Sequence, residues 1–531
     1  MAPSAPVPTA QSTGGLVATA DQQATSAGIV TLARGGNAVD AAIAANAAMA
    51  VVAPHLCGLG GDLFVLVHSP GHVAPVALDA AGVAGSGADP DRLRAEGHEL
   101  MPFKHDIRTV TIPGCVDGWM SLHTRFGRLG LDQVLAPAIR LAEDGFAASP
   151  LLVASLAASI APRPERGSEE LLGQATRRGA RVRRPGVGRT LRAIAAGGRA
   201  AFYEGEFGEG LLRLGDGHYT ADDLACPWTA WVEPVTAEAY GHRLWSIPPV
   251  SQGYLTVASA WIADGLPLPA SVDDPDWAYL LVEAAIAAGH DRDEVLWQGA
   301  DGPALVSEAR LAPRRAAISL DRRATWPAPP TLDGDTTYLC VVDGDGMGVS
   351  LIQSNASGFG SHLFEPSTGI NLHNRGLGFS LVPGHPGELA PNKRPTHTLS
   401  PALVTHPDGR LAAVVGTMGG DAQPQILLQV ITRLLKYGES PASAVGSPRW
   451  VLAGERTGFD TWQRPNGPMV VLEDDAPAAW AEGLTRRGHE VQTSERLSSG
   501  AGHAHAIVVG DDGVLSGAAD PRTVVGSASG V

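Results

Sequence analysis

The sequence predicts an α+β fold, and three observations carry that reading. An alanine-rich helical pattern over 38–53 is followed at once by a strand-like run, Leu63–Val67. The strongest turn signal in the chain, Asp343-Gly344-Asp345-Gly346, separates two β-prone runs, Tyr338–Val342 and Val349–Gln353. Further apolar runs at Ala402–Thr405 and Ala412–Val415 precede an amphipathic helix over 424–437, and Ala506–Val509 with Val514–Ala518 forms a last strand pair.

Taken in order, residues 1–14 read as disordered. Gly35-Gly36-Asn37 supplies a turn and N-cap for the first long helix, in which Val39, Ile43, Ala47, Ala50 and Val51 recur at helical spacing until Pro54 stops it. The Gly58-Leu59-Gly60-Gly61 cluster precedes a strand and opens no helix, so it is no dinucleotide fingerprint; it reads as a tight turn that lets backbones approach. Helical patterns follow over 131–143, 190–196 and 277–288. An Arg- and Pro-rich stretch from 308 to 335 reads as a flexible linker.

Length and charge narrow the function. At 531 residues the chain exceeds one ordinary hydrophobic core unless two segments share a large layered fold. A formal net charge of −16 argues against nucleic acid or an anionic membrane as partner. The run Arg177, Arg178, Arg181, Arg183, Arg184, Arg189 is broken by Gly and Pro and reads as a solvated surface. Four widely spaced cysteines offer neither a disulfide scaffold nor a thiolate metal site. The N-terminus lacks the basic and apolar regions of a secretory signal, and no apolar stretch is long enough to span a bilayer. A cytoplasmic protein without metal or cofactor is expected.

Two features carry chemistry. Across the 338–353 hairpin, position 354 falls opposite 335 or 336, so the Ser354 hydroxyl returns beside Thr336 at the mouth of the linker that ends in Asp335. Paired hydroxyls there fit an activated nucleophile with a supporting partner, or a plain Thr–Ser pair at a sheet edge. Second, Gly416-Thr417-Met418-Gly419-Gly420-Asp421 leads into a helix. Glycines at a helix N-terminus can converge backbone N–H groups on developing negative charge, as an oxyanion hole does.

Together these residues sit among blocks that resemble the gamma-glutamyltransferases, in family order: GGNAVDAAIAANAAMAVVAPHLCGLGGDLFVL, TIPGCVDGW, IPPVSQG, GDTTYLCVVDGDGMGVSLIQSN, FGSHLF, STGINLHNRG, PNKRPTHTLSPALV, GTMGGDAQPQ, SPRW and DPRTVVGSA. The likeness is greatest to the bacterial branch without a signal peptide, and it extends to the related cephalosporin acylases. It implies an N-terminal-nucleophile hydrolase with a four-layer αββα sandwich. It further implies a precursor that cuts Asp335–Thr336 into a large subunit, 1–335, and a small one, 336–531, which stay together as a heterodimer. Thr336 would then attack an amide carbonyl of a small peptide-like substrate, with Ser354 beside it and Gly419 and Gly420 holding the oxyanion. Water or an amine would release the acyl group.

The pocket departs from that pattern. Where the family carries a substrate-binding arginine after Leu78-Asp79 the chain reads Ala80-Ala81-Gly82, and the aspartate expected after Asn374 is replaced by Gly376-Leu377-Gly378. A paired serine appears as His397-Thr398, and Ala356 stands in for an asparagine, with Asn355 adjacent. Asn355, His397 and Thr398 are therefore the expected substrate contacts. The departures favour an acyl group other than glutamyl over glutathione metabolism. The alternatives are a specialised hydrolase of natural-product or antibiotic biosynthesis, acting on another amide or a carbon–carbon bond, and an inactive structural relative.

Overall fold

A computed structural model describes residues 8–324, 326, 335–454, 461–464 and 467–531. Two seven-stranded antiparallel sheets dominate it. One runs in the order Ser527–Gly530, Gly15–Thr19, Asp335–Asp343, Gly348–Ala356, Asp62–His68, Val76–Ala80, Ala230–Val232. The other runs Ala10–Ser12, Leu515–Ala519, His503–Val509, Leu411–Met418, Ala402–Thr405, His242–Ser246, Val235–Ala239.

Alternation along the central strands sorts the core into layers. Leu16, Ala18, Phe64, Tyr338 and Ile352 pack against Trp245, Leu403, Val414 and Ile507 of the other sheet. The intervening residues Val17, Val65, Leu339 and Leu351 turn the other way and meet the helix Ala38–Val52. On the far side Leu244, Val404 and Val415 meet the helices Tyr254–Asp264, Pro275–Gly289 and Gln423–Leu435. Period-two strands with both faces buried need an apolar cover on each side, and these helices supply it.

The first long helix begins as read from sequence. Asn37 caps the Asp40 N–H while the Asp40 side chain accepts from the Asn37 N–H. Every residue of this helix is buried, and its many alanines keep it close to the sheet beneath. The glycine turn before Asp62 also has a packing cause: a Cβ at Gly61 would strike the Ser354 carbonyl oxygen.

Three expectations are corrected. Residues 10–12 are a strand, not disorder, because Ala10–Ser12 pairs with Leu515–Gly517 and extends a sheet edge. Part of the expected linker is a helix, Glu308–Ala316. Its arginines concealed a one-sided pattern in which Leu311 is buried while Arg310 and Arg314 both reach Asp291. Arg184 is not solvated: it is buried, and its guanidinium donates to the carbonyls of Ala50 and Val51, which the end of the helix at Val52 leaves without intrahelical partners. Residues 1–7 and 327–334, also assigned to disorder and linker, lie outside the described residues. Among the described residues no helix is long and apolar enough to cross a membrane.

Candidate active site

The hairpin places the two hydroxyls together, with a register that differs by one from the sequence reading. Thr337 pairs with Gln353 and Tyr338 with Ile352, because the Asp343 carboxylate accepts the N–H groups of Asp345 and Met347 and closes a longer turn. The register then breaks, so that Asp335 pairs with Ala356 and Thr336 faces the two residues Ser354 and Asn355. Such a bulge re-aims a side chain out of the regular ladder. Thr336 Oγ1 lies 3.1 Å from Ser354 Oγ, both fully buried. The Ala356 N–H donates to Ser354 Oγ at 2.8 Å and fixes it.

The glycine turn approaches from the other sheet. Gly419 has φ 140° and Gly420 φ 57°, conformations that favour glycine, and the following helix begins at Gln423. Two glutamines that sequence reasoning passed over hold this turn. The Gln252 amide donates at 3.0 Å to the carbonyls of both Gly420 and Thr398, and its own oxygen accepts from Arg292 Nε at 2.9 Å. The Gln423 oxygen accepts the Ser400 N–H at 2.9 Å, and its Nε2 points at Thr336 Oγ1, 3.4 Å away. Both residues lay inside the quoted blocks, IPPVSQG and GTMGGDAQPQ, and only the fold shows that those blocks meet.

A buried ionic cluster flanks the hydroxyls. Ser354 pairs across the strands with Asp62, so both side chains leave the same face of the sheet. Asp62 Oδ2 lies 2.7 Å from Arg375 Nε, 3.1 Å from His397 Nε2 and 3.4 Å from His373 Nδ1. Burial alone would raise the Asp62 carboxyl. Arg375, His397 and His373 more than offset it and hold the carboxyl well below its usual range. Asp62, Arg375 and His373 were not among the expected site residues.

The expected substrate contacts separate. His397 joins the cluster, with its ring edge-on to Phe64, and Thr398 offers its carbonyl to Gln252. Asn355 points elsewhere: its Nδ2 donates at 2.9 Å to the Pro54 carbonyl and ties down the loop after the first long helix. A further arginine, Arg394, pairs with Asp79 at 3.3 Å.

Burial also sets the protonation of four histidines around this end of the sheets. It lowers His55 and His505 to about 3 and His397 and His503 to about 4. Each is neutral in the folded chain and takes a proton near pH 6.5 once unfolded. The unfolded chain therefore binds more protons below that pH, and stability is complete above about 6.5 and falls as pH drops toward 4. Thermal midpoints recorded from pH 7.5 down to 4.5 are expected to fall from about pH 6.5. A flat profile to pH 5 would contradict the neutral assignment.

Comparison with known proteins identifies the family of the whole chain. The family model described as gamma-glutamyltranspeptidase matches residues 24–530. The oxamate amidohydrolase proenzyme of Klebsiella pneumoniae is 35% identical over 96% of this chain and 98% of its own length. The glutathione hydrolase-like YwrD proenzyme of Bacillus subtilis is 34% identical over 94% and 95%. Among solved structures, the cephalosporin acylase from Bacillus halodurans superposes with a TM-score of 0.87 at 32% identity, covering 98% of this chain and 96% of that one. The chain belongs to the gamma-glutamyltranspeptidase family.

Proposed function

We propose that this chain is the precursor of an amide-cleaving acyl transferase or hydrolase that cuts its own Asp335–Thr336 bond and then uses the freed Thr336 as its nucleophile. One observation carries the reading. Thr336 sits at a bulge with its hydroxyl 3.1 Å from that of Ser354, and Gln423, which follows a positive-φ diglycine turn at a helix start, reaches the same hydroxyl. The proenzyme names of two relatives support a processed enzyme. The two sheets with helices on their outer faces support an αββα arrangement of the N-terminal-nucleophile hydrolase type, which the cut would divide into subunits 1–335 and 336–531.

The chemistry follows from the groups present. Once the bond before it is cut, the Thr336 α-amine is the nearest base for its own hydroxyl. Oγ1 attacks the amide carbon and the carbon–nitrogen bond breaks. The hydroxyl proton passes through the α-amine to the leaving nitrogen. The N–H groups of Gly419 and Gly420 take the oxyanion. Water or an amine then attacks the ester and returns Oγ1 to the hydroxyl.

The acyl group we infer is not glutamyl. The arginines around the site already face carboxylates, Arg375 on Asp62, Arg394 on Asp79 and Arg292 on Asp293, and residues 80–82 carry no charge. A substrate carboxylate would have to displace a partner from one of them, and a buried charge left unpaired is costly. One relative is named for oxamate and another for cephalosporin, so acyl groups differ among proteins this similar. The purified protein is expected to run as two fragments that meet between residues 335 and 336. It should cleave an uncharged acyl compound such as butyryl-p-nitroanilide at least as well as the γ-glutamyl compound. A persistent full-length chain would sink the nucleophile assignment, and strong preference for the glutamyl compound would sink the acyl assignment alone.

A further inference from the structure

We infer that Gln423 is a second catalytic side chain, one that holds Thr336 Oγ1 by hydrogen bond and stabilises it as the departing alkoxide when the ester is broken. The inference rests on Thr336 being the nucleophile, and it concerns the departing Oγ1, an atom the glycine turn does not serve.

The orientation of the Gln423 amide is fixed by chemistry. The Ser400 backbone N–H can only donate, so the atom it meets at 2.9 Å must be the amide oxygen. The other end is then the NH2 group, and it faces Thr336 Oγ1 at 3.4 Å. Gln423 and Ser400 are both fully buried, and Gln423 is the first residue of a helix whose second, Pro424, has a fixed φ. The donor therefore reaches the nucleophile from a side chain pinned at both ends. A separation of 3.4 Å is long for a neutral hydrogen bond and short enough to tighten when its acceptor becomes anionic.

The step that needs this donor can be identified. In acylation the new negative charge sits on the carbonyl oxygen, and Oγ1 gains a bond. In deacylation water adds to the ester carbon, the carbon–Oγ1 bond breaks, and the electron pair stays on Oγ1. Oγ1 then takes up the proton that water has given to the Thr336 α-amine. Charge develops on Oγ1 in this second half, where the Gln423 N–H points. The same holds in self-cleavage. There Oγ1 first displaces the Thr336 nitrogen from the Asp335 carbonyl, and hydrolysis of the resulting ester again expels Oγ1. A donor aimed at the leaving oxygen thus serves maturation and turnover alike.

The test is Gln423→Met, close in shape but without the amide, made in the full-length chain. Loss of one hydrogen bond to an oxygen that develops charge is expected to slow ester hydrolysis about 10- to 100-fold. The fragment beginning at Thr336 should then be found acylated by mass spectrometry during turnover of an acyl p-nitroanilide, with a burst of p-nitroaniline. Newly made Gln423→Met chain should hold a population at the ester stage that hydroxylamine splits at 335/336, a readout that needs no knowledge of the substrate. Gln423→Glu, isosteric with the natural residue, is a second arm and covers a failure of the methionine variant to fold. Its new carboxylic acid can donate only while protonated, so its activity should move to acid pH, whereas a merely structural role would leave the profile in place.

Ester hydrolysis within about twofold of wild type in Gln423→Met, with no ester captured by hydroxylamine, would overturn the inference. So would a Gln423→Glu profile that does not move. Self-cleavage or turnover surviving in Thr336→Ala would instead remove the nucleophile assignment beneath it, whatever the glutamine variants do.

Discussion

Thr336→Ala is expected to leave a single uncut chain and to lower turnover of any acyl substrate by at least about 10⁴-fold, since the nucleophile is the one member of such a site without a stand-in. The Ser354 hydroxyl lies only 3.1 Å away, but it sits one strand over and accepts the Ala356 N–H, so it cannot inherit an amino-terminal base. Thr336→Ser should cut itself and turn over at a reduced rate, because it keeps both the hydroxyl and the α-nitrogen. A gel and a mass spectrum of the purified variants decide the first point, and a progress curve the second. Wild-type turnover in the alanine variant would mean that the bulge at Thr336 is a packing feature only.

The second large effect concerns stability. Asp62→Ala leaves the buried Arg375 without the carboxylate 2.7 Å from its Nε and removes the common partner of His373 and His397. Removing one member of a buried pair typically costs roughly 3–5 kcal/mol, most of it the penalty of the charge left behind. Asp62→Leu combined with Arg375→Met should recover a large part of that loss, because an apolar pair leaves no buried charge unmatched. Denaturant melts of the two singles and the double check this. A loss below about 1 kcal/mol for Asp62→Ala would mean that water reaches Arg375 and solvates it.

Much of the fold was legible because its signals are local. The cap at Asn37, the stop after the first long helix and the existence of a turn at Asp343–Gly346 each depend on a few neighbouring residues, and the cap and the stop appear where the sequence put them. The closeness of the Thr336 and Ser354 hydroxyls was legible because a hairpin brings residues only 18 apart back together. The one-residue error in register came from the Asp343 side chain, whose carboxylate holds two backbone N–H groups in a way that turn propensity does not reveal.

What stayed hidden depends on contacts between distant segments. Asp62 meets Arg375 across 313 positions, and Gln423 meets Thr336 across 87. None of these residues has a local pattern that marks it, since a lone aspartate after a glycine turn or a glutamine at a helix start is ordinary. Helix Glu308–Ala316 was missed for another reason: Arg and Pro dominate its composition, while a single buried leucine anchors it. The strand Ala10–Ser12 is too short to announce itself and is made by its partner.

The order of strands in the two sheets has a consequence for the cut chain. Segments from before and after the 335/336 bond alternate, so that three strand seams of one sheet and two of the other join the two prospective pieces. Severing one peptide bond would therefore free no part of the molecule, and neither piece would retain a complete sheet. The order of the folding reaction would change instead. The precursor finds its structure as one molecule, at a rate independent of concentration. The mature pair, once unfolded, would need two separate chains to meet before either could close a sheet, so refolding would slow on dilution while unfolding would not. Maturation in such a topology acts as a one-way door, with the assembled state inherited from a chain that no longer exists.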